Sequence, residues 1–266
     1  MSSVRVARPG IRGTLRVVAG VVALGLLLGS AAGARTAEEL IADGDQHYAA
    51  GRLPEARTAF QAALQESPGH FPVLCRLSRT ESELGEVQKG DPQRATRAAA
   101  VEHARAAIKA APDSAAGHVW LAVALGRQAL SEGPKTRLAL SREIKSEVDR
   151  ALQIDPNVGR AWHVLAMWHV TLSSLHAIER MAANTVLGGV PQGASFEAAE
   201  KAFQKAIALE PDYVNHRLEY ARMLRERGRK AEARQELEKA VALPPTSGAL
   251  DARYQAEAKE LLAKTR

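Results

Sequence analysis

Histidine, serine, cysteine and carboxylate side chains are the groups here that could carry chemistry, and their spacing argues against it. His169 and His176 are seven residues apart, two helical turns, so they share a helix face, whereas His163 and His169 are six apart and do not. Metal-binding pairs on helices favour spacings of three or four, as in HExxH, and no such pair occurs. His163 and His169 fall near Trp162 and Trp168, which points to packed, structural imidazoles. Ser141, Ser195 and the other serines lack the G-x-S-x-G setting of an activated nucleophile. The glycine cluster Gly188–Gly193 follows a helical stretch rather than a strand, so it is neither a phosphate loop nor a dinucleotide fingerprint. The acid pairs Glu38-Glu39 and Glu81/Glu83 read as solvated helix surface. Cys75 is the only cysteine, which excludes an intrachain disulfide and a Cys-His zinc site. The sequence therefore reads as non-enzymatic, with no catalytic residue, no metal site and no cofactor.

The elements that would position these groups repeat along the chain. In the stretch Phe196 to Pro211, Ala199, Phe203 and Ala206 fall four and then three residues apart on one helix face, and Pro211 stops the helix. The frame recurs as Ala56/Phe60/Ala63/Pro68, Ala100/Ala104/Ala107/Pro112, Ile144/Val148/Ala151/Pro156 and Ala233/Leu237/Ala240/Pro245. Each copy is the second helix of a helix-turn-helix unit, and with Gly44, Gly51, Ala56, Phe60, Ala63 and Pro68 at its motif positions the first unit resembles a tetratricopeptide repeat. There His47 takes the position of a common tyrosine, and Tyr48 sits beside it. The expected fold is an all-α solenoid over residues 35–266, with units 36–68, 69–112, 113–156, 157–211 and 212–245 and a capping helix over 247–264. Thr36 and Glu39 form a capping box. Successive terminal prolines of the second and third units are 44 residues apart, ten more than the usual period, so either helices or loops are lengthened there. Gly90-Asp-Pro92 and Gly133-Pro134 favour breaks. In the fourth unit one long helix is expected from Arg160 to Asn184, then a glycine-rich loop, with Ser195 capping the next helix. Phe60, Phe203, Trp120 and Trp162 fit core positions between nested helices, while Trp168 falls off the shared frame.

Residues 1–34 read as an export signal: a basic, acid-free start, the apolar run Val17 to Leu28, and small residues ending Ala32-Gly-Ala34. Cleavage is expected between Ala34 and Arg35, giving an exported, periplasmic protein; an uncleaved membrane anchor is the alternative. Removing this segment's four arginines from 36 bases set against 30 acids leaves a net charge of +2 in place of +6. That is too balanced for a nucleic-acid binder.

A narrower likeness lies in the third to fifth units. His163-Val-Leu-Ala-Met-Trp168, Ile178-Glu-Arg-Met-Ala182, Leu187-Gly-Gly-Val-Pro-Gln-Gly-Ala-Ser195 and Ala199 with Phe203 resemble the regulator of microtubule dynamics family and its bacterial relatives. The resemblance spans residues 37–245 and implies a helical-repeat domain, often behind an N-terminal membrane or targeting segment, without known catalysis. Eukaryotic members are associated with microtubules or organelle contacts, a role not carried over to an exported chain.

In repeats of this kind the first helices line the concave face, and their solvent-facing positions meet ligands. Those positions hold Arg79, Arg127, Arg160, His163, Asn215, Arg222 and Arg225, with Glu83 and Glu226 the acids among them. They define a mildly basic groove suited to a carboxylate or an acidic protein or peptide segment. The expected function is a scaffold that binds a protein or peptide; a carrier of an apolar ligand such as a lipid is the alternative.

Overall fold

The computed structural model describes residues 35–186, 189–244 and 248–265. The expected export signal therefore lies outside the described residues, apart from Arg35 on the far side of the cleavage point. Residues Arg35–Arg266 form one compact unit. Its helices are α1 (Ala37–Ala49), α2 (Leu53–Glu66), α3 (Phe71–Val87), α4 (Gly90–Ala110), α5 (Ala115–Ala129), α6 (Pro134–Ile154), α7 (Gly159–Ser173), α8 (Ala177–Val186), α9 (Phe196–Leu209), α10 (Val214–Glu226), α11 (Lys230–Ala242) and α12 (Asp251–Lys264). There is no strand among the described residues.

The pairs α1/α2, α3/α4, α5/α6, α7/α9 and α10/α11 are the five hairpins. The repeated frame is what they bury: Ala56, Phe60, Ala63, Ala199, Phe203, Ala206, Ala233, Leu237 and Ala240 are wholly enclosed, as are Ala100, Ala104, Ala107 and Ala151. Alanine at these points lets backbones approach, and the larger residue fills the space that remains. Gly44 shows how tight the nesting is, since a Cβ there would lie within 3.0 Å of three Phe60 ring carbons. The capping box at Thr36 is complete: Glu39 N–H donates to Thr36 Oγ1 at 3.2 Å and Thr36 N–H to Glu39 Oε2 at 2.8 Å. Ser195 Oγ accepts from Ala198 N–H at 3.1 Å. The added residues of the second and third units are helical: α4 and α6 each run 21 residues, and α3 and α4 are separated only by Gln88 and Lys89.

The fourth unit departs from the single long helix expected. The chain stops at Ser173 and restarts as α8, where His176 N–H donates to Glu179 Oε2 at 3.0 Å and so receives an N-terminal cap. Arg180 donates back to Leu172 O at 2.8 Å, bracing the break. Ala183 of α8 and Val190 beyond it pack into the cluster around Trp168 and Leu172, and the Trp168 indole donates to Ser141 O at 2.8 Å. A local pattern of apolar residues cannot show this turn, because both pieces keep helical periodicity.

α12 packs on α10 and α11, the last hairpin, and reaches well beyond them. Leu250, Tyr254 and Ala258, one stripe at intervals of four, enter the same core cluster as Tyr48, Val73, Leu77 and Leu84 of the first units. Tyr254 Oη donates to Glu86 Oε1 of α3 at 3.0 Å, and Arg253 donates to Glu86 O at 3.2 Å. The helix is thus a wedge joining the end of the array to its beginning.

Candidate ligand-binding face

One cavity of about 370 Å³ collects residues from the start of every hairpin: Tyr48 from α1, Arg79 from α3, Trp120 from α5, Arg160 from α7 and Tyr213 just ahead of α10. The Arg79 guanidinium lies 3.7 Å from the centre of the Tyr48 ring, and that of Arg160 lies 3.8 Å from the Tyr213 ring and 5.7 Å from Trp120. Each guanidinium is held over its ring by a cation–π contact. The nearest carboxylate oxygen to Arg79 is Asp45 Oδ1 at 4.0 Å, and to Arg160 it is Glu210 Oε2 at 3.7 Å. Neither distance is a hydrogen bond. Arg79 Nε is enclosed without an acceptor. Tyr48 is held in turn by donating to Glu83 Oε1 at 2.8 Å. Burial, then the Glu83 charge, pushes the Tyr48 phenol above its ordinary range, and burial likewise raises the Glu83 carboxyl.

Glu210 is the hub behind Arg160. Its Oε1 accepts the Arg160 backbone N–H at 2.9 Å, and its Oε2 lies 3.1 Å from His216 Nε2. His216 Nδ1 lies 3.0 Å from His163 Nδ1. An ionised carboxylate only accepts, so His216 carries its proton on Nε2, and His163 must then donate from Nδ1. Burial works to raise the Glu210 pKa, but the His216 bond and the Arg160 charge outweigh it and hold the group below its usual range. Burial drives His163 well below the ordinary imidazole range, helped by His216 and Arg160; it lowers His216 too, against the opposing pull of Glu210. Gly159 makes the approach possible, since a Cβ there would stand 2.8 Å from Glu210 Cγ and Cδ.

Trp120, Arg160 and Glu210 also belong to a second cavity of about 520 Å³, completed by Asp113, Asp155, Val119, Val158 and Ile154 among others. The two spaces therefore adjoin and share Arg160 and Glu210; the first adds Arg79 and Asp212, the second Asp113 and Asp155 over an apolar floor.

The other residues expected on the groove go elsewhere. Arg127 pairs with Glu86 at 2.5 Å, beside the α12 tyrosine. Arg222 is engaged by Glu257 of α12 at 2.7 Å and by Glu219 at 3.3 Å. His163 and Asn215 are enclosed in the core, and Arg225 stands on an exposed helix end. Glu81 and Glu83, expected as solvated surface, are buried. Glu81 is held by Arg57 at 3.0 Å and His103 at 2.7 Å, Glu83 by the Tyr48 hydroxyl. Such partners from other helices leave no mark on the local sequence. Trp120 and Trp162 are half-buried rather than enclosed, and Trp120 is a cavity wall. Glu210 and Tyr213 were not foreseen; the only trace of them is their place in the turn before a first helix.

Stacked two-helix units, a wedge helix and a shared inner cavity define a tetratricopeptide-type helical-repeat protein. Within that class the chain belongs to the regulator of microtubule dynamics protein 1-3 family, whose model matches residues 36–266. It is 32% identical over 190 residues to regulator of microtubule dynamics protein 3 of Rattus norvegicus, covering 71% of this chain and 40% of the relative. The mouse counterpart is 30% identical, with 79% and 46% covered. Protein 1 of Caenorhabditis elegans is 27% identical, with 72% and 84% covered. The chain thus spans less than half the length of the two mammalian proteins. A thermophilic tetratricopeptide-repeat protein of Thermus thermophilus superposes with a TM-score of 0.61 at 24% identity, covering 84% of this chain and 98% of that one, and so shares the fold.

Proposed function

We propose that this chain is an exported, non-catalytic scaffold that holds a protein or peptide segment on the inner face of its repeats. The observation that carries the reading is the cavity to which all five hairpins contribute, with two stacked guanidiniums that lack hydrogen-bond acceptors among the described residues. Preset donors of this kind suit carboxylate recognition. No group of three or more metal-binding side chains is found among the described residues. Export is supported by the signal-like segment and by the start of the compact unit at Arg35. The lipid-carrier alternative asks for an apolar tunnel, whereas Arg79, Arg160, Glu210 and Asp155 line these cavities.

A photo-crosslinking amino acid in place of Trp120, in cells of the source organism, tests the reading. A discrete peptide or protein adduct, lost when Arg160→Gln is added, is the expected outcome. An adduct confined to lipid would overturn it in favour of the carrier. Intact mass of the mature protein tests the export step: a start at Arg35 is expected, and retention of Met1 would overturn it.

A further inference from the structure

We propose that the edge of the array formed by its hairpin turns docks on an anionic membrane surface. Each first helix runs from the turn that joins two units to the turn inside its own hairpin, so the two sorts of turn gather on opposite edges. The edges differ in charge. The turns that join units, residues 67–70, 111–114, 155–158 and 210–213, hold Asp113, Asp155, Glu210 and Asp212 and no lysine or arginine. The turns inside the hairpins α1/α2, α3/α4 and α10/α11 hold Arg52, Lys89, Arg227 and Arg229 and no acid. In the third hairpin Glu132 is followed by Lys135 and Arg137, both exposed at the start of α6. The near balance of bases and acids in the whole chain hides this separation.

The basic edge also carries what a bilayer would cover. The large apolar side chains exposed among the described residues are Val87, Leu130 and Met181, each more than half open to solvent. Single exposed apolar residues need no explanation, but these three share one location. Val87 ends α3, Leu130 follows α5, and Met181 lies on α8, the helix inserted after α7. Each stands where a first helix gives way to the rest of its unit. Arg97 ties two of these ends together: a Cβ added to Gly85 would lie 3.0 Å from Arg97 Cγ, and the same guanidinium donates to the Ser131 hydroxyl. Ala183, two residues beyond Met181, packs in the cluster that holds Leu138 of α6. Lys89, Arg94, Lys135, Arg137 and Arg180 flank the three tips in sequence. Asp91 and Glu179 offset part of that charge, one paired with Arg94 and the other capping α8. Apolar tips set among bases suit the zone where headgroups meet acyl chains, because the tips enter while the bases stay with the phosphates. A nucleic acid or an acidic peptide would meet the bases and offer no layer for the tips. Neither signal holds a protein to a bilayer alone; together they give reversible, peripheral attachment.

Vesicle flotation tests this with the compact unit from Arg35 onward. Vesicles of phosphatidylcholine alone are set against vesicles with about one-third phosphatidylglycerol, which supplies the negative surface. Binding is expected to the anionic vesicles and not to the neutral ones. It should fall roughly tenfold between about 0.1 M and about 1 M salt, as the screening length drops from roughly 10 Å to roughly 3 Å. Lys89→Gln/Lys135→Gln should weaken it by roughly fivefold for each lysine. Lys109→Gln/Lys205→Gln removes the same charge from the far ends of α4 and α9, toward the acidic edge, and should leave binding unchanged. Because both residues are exposed, Leu130→Ser/Met181→Ser should keep the melting curve while weakening binding roughly tenfold. A polarity-sensitive label on Leu130→Cys should shift to the blue on anionic vesicles and stay unshifted with polyglutamate; the natural thiol, Cys75, is buried out of its reach. Equal binding to neutral vesicles, equal loss from the two lysine pairs, or indifference to Leu130 and Met181 overturns the docking edge. A label shift with polyglutamate gives the edge to an acidic protein and overturns the membrane. Absence of binding to the anionic vesicles overturns the inference outright. All of these results leave the peptide-binding reading where it stands.

Discussion

The most telling residues are those whose ionisation the fold has fixed. His163 and His216 are held neutral by burial, with pKa values below the ordinary 6.5. The unfolded chain takes up protons near pH 6.5 and the folded chain does not, so their contribution is complete above that pH and falls away as pH drops toward the lowered values. Each contributes at most about 1.4 kcal/mol of lost stability per pH unit in that window. Glu83 acts in the opposite sense: its raised pKa favours the fold at low pH, an effect lost as pH rises through the folded value. Urea unfolding of His163→Phe between pH 7 and pH 5 should show a shallower decline than the parent; an unchanged slope would show that the pair does not titrate on unfolding. Gly44 provides a second test. Gly44→Ala drives a methyl into the wholly buried Phe60 ring and should cost about 1–3 kcal/mol, with partial recovery in Gly44→Ala/Phe60→Leu.

Among the elements, α12 bears the heaviest connections. Tyr254→Ala removes an enclosed ring from between the last hairpin and α3, and should cost about 3–5 kcal/mol in chemical denaturation. Tyr254→Phe loses only the bond to Glu86 and should cost about 1 kcal/mol. The same helix marks where sequence reading stops. The second helices of the hairpins were legible, because alanine and phenylalanine at spacings of four and three report burial on one face wherever the helix lies. The cap at Thr36 was legible because both partners are three residues apart. Two of the cavity's arginines, Arg79 and Arg160, were found by position in the repeat. What α12 touches was not legible: a stripe of Leu250, Tyr254 and Ala258 says that something covers it, but not that Glu86, over 160 residues earlier, will be there. The breaks around α8 and the pairing of Arg127 and Arg222 were hidden for the same reason.

At the scale of the molecule, repeat arrays usually couple neighbours only, so unfolding can begin at either end. Here the core cluster runs from Leu40 and Tyr48 through Leu218 to Tyr254, and the first and last units share one interior. Deleting residues 251–266 should therefore speed amide exchange in α3 as well as in α10 and α11; protection lost from the last hairpin alone would show that the tie to Glu86 carries no weight. This arrangement also bears on synthesis. The ribosome makes the fourteen residues of α12 after every surface they join. Until they emerge, Tyr48, Val73 and Leu77 lack the stripe that completes their core cluster. A product broken off before Asp251 would leave that apolar seam uncovered, within reach of a protease.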